Sequence, residues 1–246
     1  MSNELTLTSL SPSAINQIRR CPRQWKYSRQ SASTITTEEK YLIFGRTVHA
    51  VIASYYGIVG QSPTPETIQI QADKSFEKWY KPEIKSMFNQ LTDIKKHFIA
   101  FELQRQKTWQ QYKPTFIEKK LNVKPWKDLP EFHPILDFYS EPAKTIIDWK
   151  TGTVEMNEEL MIQGKIYEMA LKTIGKPVEH VIFFALKQGL SYEMPKIQDG
   201  WVYGICRDTV DQINSEQFPK RITPLCNWCP YILNCEFDYT YLWDEF

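Results

Sequence analysis

Two runs decide the reading of this chain: His133–Tyr139, HPILDFY, and Lys144–Lys150, KTIIDWK, with Ser-Glu-Pro-Ala between them. Both are rich in β-branched and aromatic residues, and Glu141-Pro142 supplies a turn signal, which together predict a pair of strands. Residues two apart on a strand share a face, so Asp148 and Lys150 point one way and Ile147 and Trp149 the other. Asp137 stands between Leu136 and Phe138, and antiparallel pairing brings it to the same end as Asp148. Carboxylates within apolar strands are costly unless paired or metal-bound. Hard divalent cations prefer oxygen ligands of this kind. A neighbouring lysine can orient the attacking water and neutralise charge on a phosphate. Taken alone, Asp148-x-Lys150 reads more readily as a surface ion pair of little energetic weight; the rest of the chain changes that.

Outward from the hairpin, Phe116–Val123 reads as another strand, Glu159–Thr173 as a helix and Val178–Leu186 as a buried central strand. Trp201–Ile213 is helical again. Upstream, Ser11-Pro12 starts a helix, with Ser11 as N-cap, Pro12 at N1 and Ile15 and Ile18 on its apolar stripe. Pro22 opens a second helix through Trp25 and Tyr27. Gly45–Tyr56 carries Phe44, Val48, Val51, Ile52 and Tyr55 at helical spacing, and residues 66 to 112 are mainly helical with a break at Pro82. Helices, then strands, then helix–strand–helix give an α/β (α+β) domain with a helical insertion at about 60–113. The expectation is a single domain, 1–246.

Composition narrows the function. The chain has 246 residues, 30 Lys+Arg against 29 Asp+Glu, 42% hydrophobic and 14% aromatic residues, an ordinary globular balance. Glycine is scarce, at 9, and neither G-x-G-x-x-G nor G-x-x-x-x-G-K-[ST] occurs, which argues against a phosphate-cradling loop. The first residues show no basic and apolar leader, and the longest apolar runs are too short to span a membrane. A cytoplasmic protein is expected, where clustered thiols more often bind metal than form disulfides.

Four motifs resemble the PD-(D/E)XK nuclease superfamily, and within it the RecB-like branch. Gly45-Arg-Thr-Val-His49 resembles its helical G-x-x-x-H motif, Asp137 its strand aspartate, Asp148-Trp-Lys150-Thr-Gly152 its (D/E)-x-K-T-G core and Gln163-Gly-Lys-Ile-Tyr167 its Q-x-x-x-Y helix. The resemblance spans nearly the whole chain and implies a restriction-endonuclease-like mixed sheet flanked by helices. It implies Mg²⁺ or Mn²⁺ held by His49, Asp137, Asp148 and the backbone carbonyl of Trp149. Lys150 is then the catalytic lysine, with Gln163 and Tyr167 ordering the lysine, the water or the DNA backbone. Pro134 stands where the family often writes glycine. Glu118 resembles a glutamate ahead of the core in some relatives and is left out of the ligand set.

Cys226-x2-Cys229-x5-Cys235 lacks a fourth ligand, for which Cys21 and Cys206 are the candidates. Cys206 sits in an apolar helix and reads as core. Spacing alone leaves structural Zn²⁺ and an iron–sulfur cluster equal. Cys-Pro-Arg-Gln-Trp-Lys-Tyr, from Cys21, resembles the N-terminal segment of iron–sulfur members of the superfamily, such as AddB-type nucleases and CRISPR-associated adaptation exonucleases. That resemblance implies a [4Fe–4S] cluster on Cys21, Cys226, Cys229 and Cys235, with residues 219–237 closing onto Cys21.

Arg19, Arg20, Arg23, Lys26 and Arg29 stand against Glu4 alone in the first thirty residues, a basic edge with Trp25 and Tyr27 that suits a single nucleic-acid strand. Of these, Arg19, Arg20, Arg23, Lys26 and Tyr27 are the expected DNA contacts. The implied activity is a metal-dependent DNA exonuclease acting at single-stranded ends. The size and cysteine pattern resemble the CRISPR nuclease that trims fragments beside an integrase complex; a phage or repair nuclease would carry the same motifs. A non-cleaving iron–sulfur scaffold subunit is the alternative of another class, and the intact Asp137, Asp148 and Lys150 argue against it.

Overall fold

The computed structural model describes residues 9–30, 38–58, 64–78, 87–108 and 113–235. The break expected at Pro82 lies outside them. A short parallel pair joins β1 (Ser9–Leu10) to β3 (Glu131–Phe132). The main sheet takes β2 (Phe116–Lys120), β4 (Ile135–Ser140), β5 (Thr145–Lys150), β6 (His180–Ala185) and β7 (Leu190–Glu193) in the order β2-β4-β5-β6-β7. β4 and β5 form the expected antiparallel hairpin, with Phe138 opposite Ile147. β5 and β6 run parallel, Asp148 opposite Phe183, and the outer pairs are antiparallel, so the sheet is mixed.

The helices cover both faces. α1 (Pro12–Arg20) starts as its sequence dictates: the Ser11 hydroxyl accepts the Ala14 N–H at 3.2 Å and Pro12 occupies the first turn. It ends at Cys21, and α2 (Pro22–Gln30) follows at once. α3 (Glu38–Ile58), α4 (Pro65–Lys78) and α5 (Phe88–Thr108) form one layer. Gly45 lies inside α3 rather than at its start. α6 (Glu158–Thr173) crosses from β5 to β6, and α7 (Asp199–Asn214) follows β7. Two short 3-10 helices, Pro224–Trp228 and Ile232–Asn234, bring in the clustered cysteines: Cys226 lies in the first, and Cys229 and Cys235 cap their C-terminal ends. This is the expected mixed α/β fold. No helix among the described residues is long and apolar enough to cross a membrane.

The strand periodicity now has a physical meaning. Ile147 and Trp149 enter a core built with α3, α4 and α5, whereas Ile146 enters the core shared with α1, α6 and α7. Trp149 is boxed by Phe98, Phe101, Phe138 and Phe184, with ring centroids 5.1–6.4 Å away. Such edge-on pairs add about 0.5–1.5 kcal/mol each beyond area burial. The helical layer also buries an ion pair: Glu102 and Arg105 lie 2.8 Å apart, and the hydroxyls of Tyr55 and Tyr56 donate to the Glu102 carboxylate at 2.9 and 2.6 Å. β1, β3 and β7 were not expected; none is longer than 4 residues, too short for a periodic signal.

Candidate functional site

At the end of β4 and β5 opposite the hairpin turn lies a cleft of about 1000 Å³. β5 delivers Asp148, buried, and Lys150, half-buried, to one side of it, with Lys150 Nζ 2.8 Å from Asp148 Oδ2. α6 places Gln163 and Tyr167 one turn apart facing them. The Gln163 carbonyl accepts from Lys150 Nζ at 2.8 Å, while its amide donates to Asp148 Oδ1 at 3.1 Å. Tyr167 donates to the same carboxylate oxygen at 3.1 Å. Burial, then the charges of Asp148 and Asp137, hold the Tyr167 hydroxyl well above its ordinary range, so it stays a neutral donor.

α3 brings His49 to the other wall. Its Nδ1 lies 3.0 Å from Glu118 Oε1 and 3.4 Å from Asp137 Oδ1. Burial lowers the His49 pKa, but hydrogen bonds to Asp137 and Glu118, and their charges, outweigh it and raise the value. Burial, followed by the Asp148 charge, raises Asp137 in turn. The other Asp137 oxygen accepts the Trp149 N–H at 2.8 Å, which pins the carboxylate across the hairpin.

Glu118, outside the ligand set that the motifs imply, stands among the site residues. Its backbone has φ 44°, left-handed in mid-strand, a conformation costing about 1–2 kcal/mol for a residue with a Cβ. The pairing of β2 with β4 runs Ile117 to Phe138 and resumes at Lys119 and Leu136, skipping Glu118 and Asp137. Leu136 and Phe138 accordingly enter opposite cores, although two residues apart. The irregularity frees both carboxylates from the pleat at the place where they meet His49. Nothing in the residue type announces it, because glutamate is not a residue that favours positive φ.

A model of the PD-(D/E)XK nuclease superfamily matches residues 9–236. The chain belongs to this superfamily. Membership implies metal-dependent cleavage of nucleic acid. A crystal structure of SSO0001 is similar over 96% of this chain and 89% of that one, at 14% identity and a TM-score of 0.41. No curated protein matches.

The donor set fits the divalent ion that PD-(D/E)XK nucleases use. Ligand atoms of His49, Glu118 and Asp137 all lie within 4.8 Å of one another. Asp148 Oδ2 is buried and, apart from its charge contact with Lys150, accepts no hydrogen bond. Buried carboxylate oxygens without donors are unfavourable, and an oxygen-seeking cation relieves that cost. Of the expected ligands, His49 and Asp137 come together, Asp148 stands beside them held by Lys150, and Trp149 lines the same cleft.

Cys21, Cys226, Cys229 and Cys235 line one small cavity of about 30 Å³ between α2 and the 3-10 turns. Burial raises the Cys229 thiol, and the neighbouring Cys21, Cys226 and Cys235 add to this. Cys206 is wholly buried in α7, as read from its apolar setting. The basic residues near Cys21 have partners within the fold. Arg19 pairs with Glu158 and Arg20 with Glu159, each at 2.8 Å. Arg23 donates to the Phe218 carbonyl at 2.9 Å, Lys26 lies over the Phe218 ring and Tyr27 donates to the Asn234 carbonyl at 2.8 Å.

Proposed function

We propose that this chain is a Mg²⁺- or Mn²⁺-dependent DNA exonuclease of the RecB-like branch, acting at single-stranded ends. The observation that carries the reading is one cleft in which Lys150, fixed by Asp148 and Gln163, faces the cluster of His49, Glu118 and Asp137. His49, Asp137 and Asp148, with the Trp149 carbonyl, would hold the cation, and Glu118 joins them. When bound, the ion supplies Lewis-acid stabilisation of the phosphate and activation of water. Lys150 orients the hydrolytic water for in-line attack on the phosphodiester. Gln163 keeps Lys150 in place, and the neutral Tyr167 hydroxyl, with Gln163, steadies Asp148. Arg19, Arg20, Arg23, Lys26 and Tyr27 form a basic edge on α1 and α2 that DNA would engage by exchanging their partners within the fold.

In the same reading the chain is one domain, with a helical insertion at about 60–113 and residues 219–237 closing onto Cys21. The four-cysteine cavity supports a [4Fe–4S] cluster that staples the first helices to the last segment, a structural role. The cysteine pattern supports a place beside the CRISPR nucleases that trim DNA before integration.

The test is degradation of end-labelled single-stranded and duplex DNA with Mg²⁺ or Mn²⁺. Asp148→Ala and Lys150→Ala should abolish product, a loss of about 10²-fold or more for a positioned proton-transfer or water-orienting group. Variants that degrade DNA like the wild type refute the mechanism. Anaerobically purified protein should be brown and contain iron; a colourless protein with one equivalent of zinc refutes the cluster.

A further inference from the structure

α3 carries more of the cleft than His49. Leu42, Arg46 and His49 follow one another at helical spacing and share a face, and Tyr41 stands beside them. All four line the cleft. A second groove of about 680 Å³ shares Tyr41, Leu42, Lys150 and Gln163 with it and continues between α1 and the start of α3.

Two properties of this helical face call for a ligand. Arg46 is exposed and has no ion-pair or hydrogen-bond partner among the described residues, whereas Lys150 is paired with Asp148 and Arg20 with Glu159. It stands one turn from a cluster of acidic side chains that must nonetheless admit a phosphodiester. Tyr41 and Leu42 are large, apolar and 66% and 57% exposed, at the junction of cleft and groove. A free cation and an exposed aromatic lining one cleft are the combination that holds a single strand: charge for the backbone, a ring face for the base.

We propose that Arg46 binds the phosphate adjacent to the scissile one and that Tyr41 stacks the base beyond it, so that a single strand runs along α3 into the cleft. This rests on the nuclease reading for the position of the scissile phosphate, but the strand path stands on binding alone. The groove beyond Tyr41 takes the strand onward past Ser13 and Asn16 of α1.

The experiment is fluorescence anisotropy of a labelled single-stranded DNA oligonucleotide on the full chain in EDTA, over a range of salt concentrations. Neutralising one phosphate of a single strand contributes about 0.7 to the slope of log K against log salt. Arg46→Ala should lower the slope by about that amount, and Arg46→Lys should restore it. Tyr41→Ala should weaken binding by about five-fold or more at an unchanged slope, the signature of lost stacking. Both side chains are exposed, so circular dichroism should be unchanged. Wild-type slope for Arg46→Ala, or wild-type affinity for Tyr41→Ala, overturns the proposal, even if the wild-type enzyme degrades DNA. A wild type that fails to cut, yet loses slope on Arg46→Ala, refutes the nuclease reading and upholds the strand path.

Discussion

Gly164 sits between Gln163 and Lys165 in α6, and the structure sets the consequence of adding one methyl there. A Cβ at this position would lie 2.7 Å from Met194 Sδ, 3.0 Å from Val181 Cγ1 and 3.1 Å from Phe183 Cζ. The Met194 thioether can swing aside, but the Val181 methyl and Phe183 ring belong to the packed core of β6. α6 must therefore move off the sheet by a few tenths of an ångström, taking Gln163 away from Lys150 and Asp148. Overpacking of this kind costs about 1–3 kcal/mol. Alanine also favours a helix over glycine by about 1 kcal/mol, which offsets part of the loss. Gly204 in α7 separates the two effects, since a Cβ there meets nothing within 4 Å. Gly204→Ala should therefore stabilise the protein by about 1 kcal/mol, while Gly164→Ala should range from neutral to about 2 kcal/mol less stable. The gap between the variants is the packing term alone, and each kcal/mol in it separates the melting temperatures by about 2–4 °C for a chain of this size. Thermal and denaturant unfolding measure it, and DNA degradation should fall in Gly164→Ala only. Equal melting temperatures for the two variants, or full activity in Gly164→Ala, would refute the claim that close packing of α6 positions Gln163.

Three further outcomes are expected. Glu102→Ala strands a buried Arg105 and the two tyrosine hydroxyls, and should cost about 3–5 kcal/mol in urea unfolding. Cys21→Ser should strip the iron and visible absorbance from the purified protein, while Cys206→Ala should keep both; equal loss in the two would dissociate the cavity from the cluster. Burial pushes the Cys206 thiol from 9.0 up to about 12. A raised pKa means that its contribution to stability is complete below about 9, the value in the unfolded chain, and is lost as pH climbs toward 12. The drop in unfolding free energy between pH 8 and pH 10 should then be smaller in Cys206→Ala than in the wild type.

The hairpin was legible because its information is local. Strand alternation alone put Asp148 and Lys150 on one face, and the ion pair of 2.8 Å meets that expectation. Ser11 and Pro12 announced α1 for the same reason, since a cap is chosen within one turn of the residue that makes it. Three things were not legible. The pairing of β1 with β3 spans about half of the chain and involves two residues on each side, so no periodicity marks it. Arg19 and Arg20 read as a free basic run, yet their partners Glu158 and Glu159 arrive from α6 through tertiary folding. Glu118 depends on a backbone angle that its side chain does not favour, so its place beside His49 emerges only when strand and helix are assembled.

The cysteine cavity has a consequence in time as well as in space. Its walls come from Cys21 to Tyr27 on one side and from Lys220 to Cys235 on the other. A ribosome adding about 5–20 residues per second delivers the first wall long before the second. Cys21 is therefore made before every strand of the main sheet, and long before Cys226, Cys229 and Cys235. The contacts that join the two ends, Arg23 to the Phe218 carbonyl and Tyr27 to the Asn234 carbonyl, can therefore close only after the strands between them have been made.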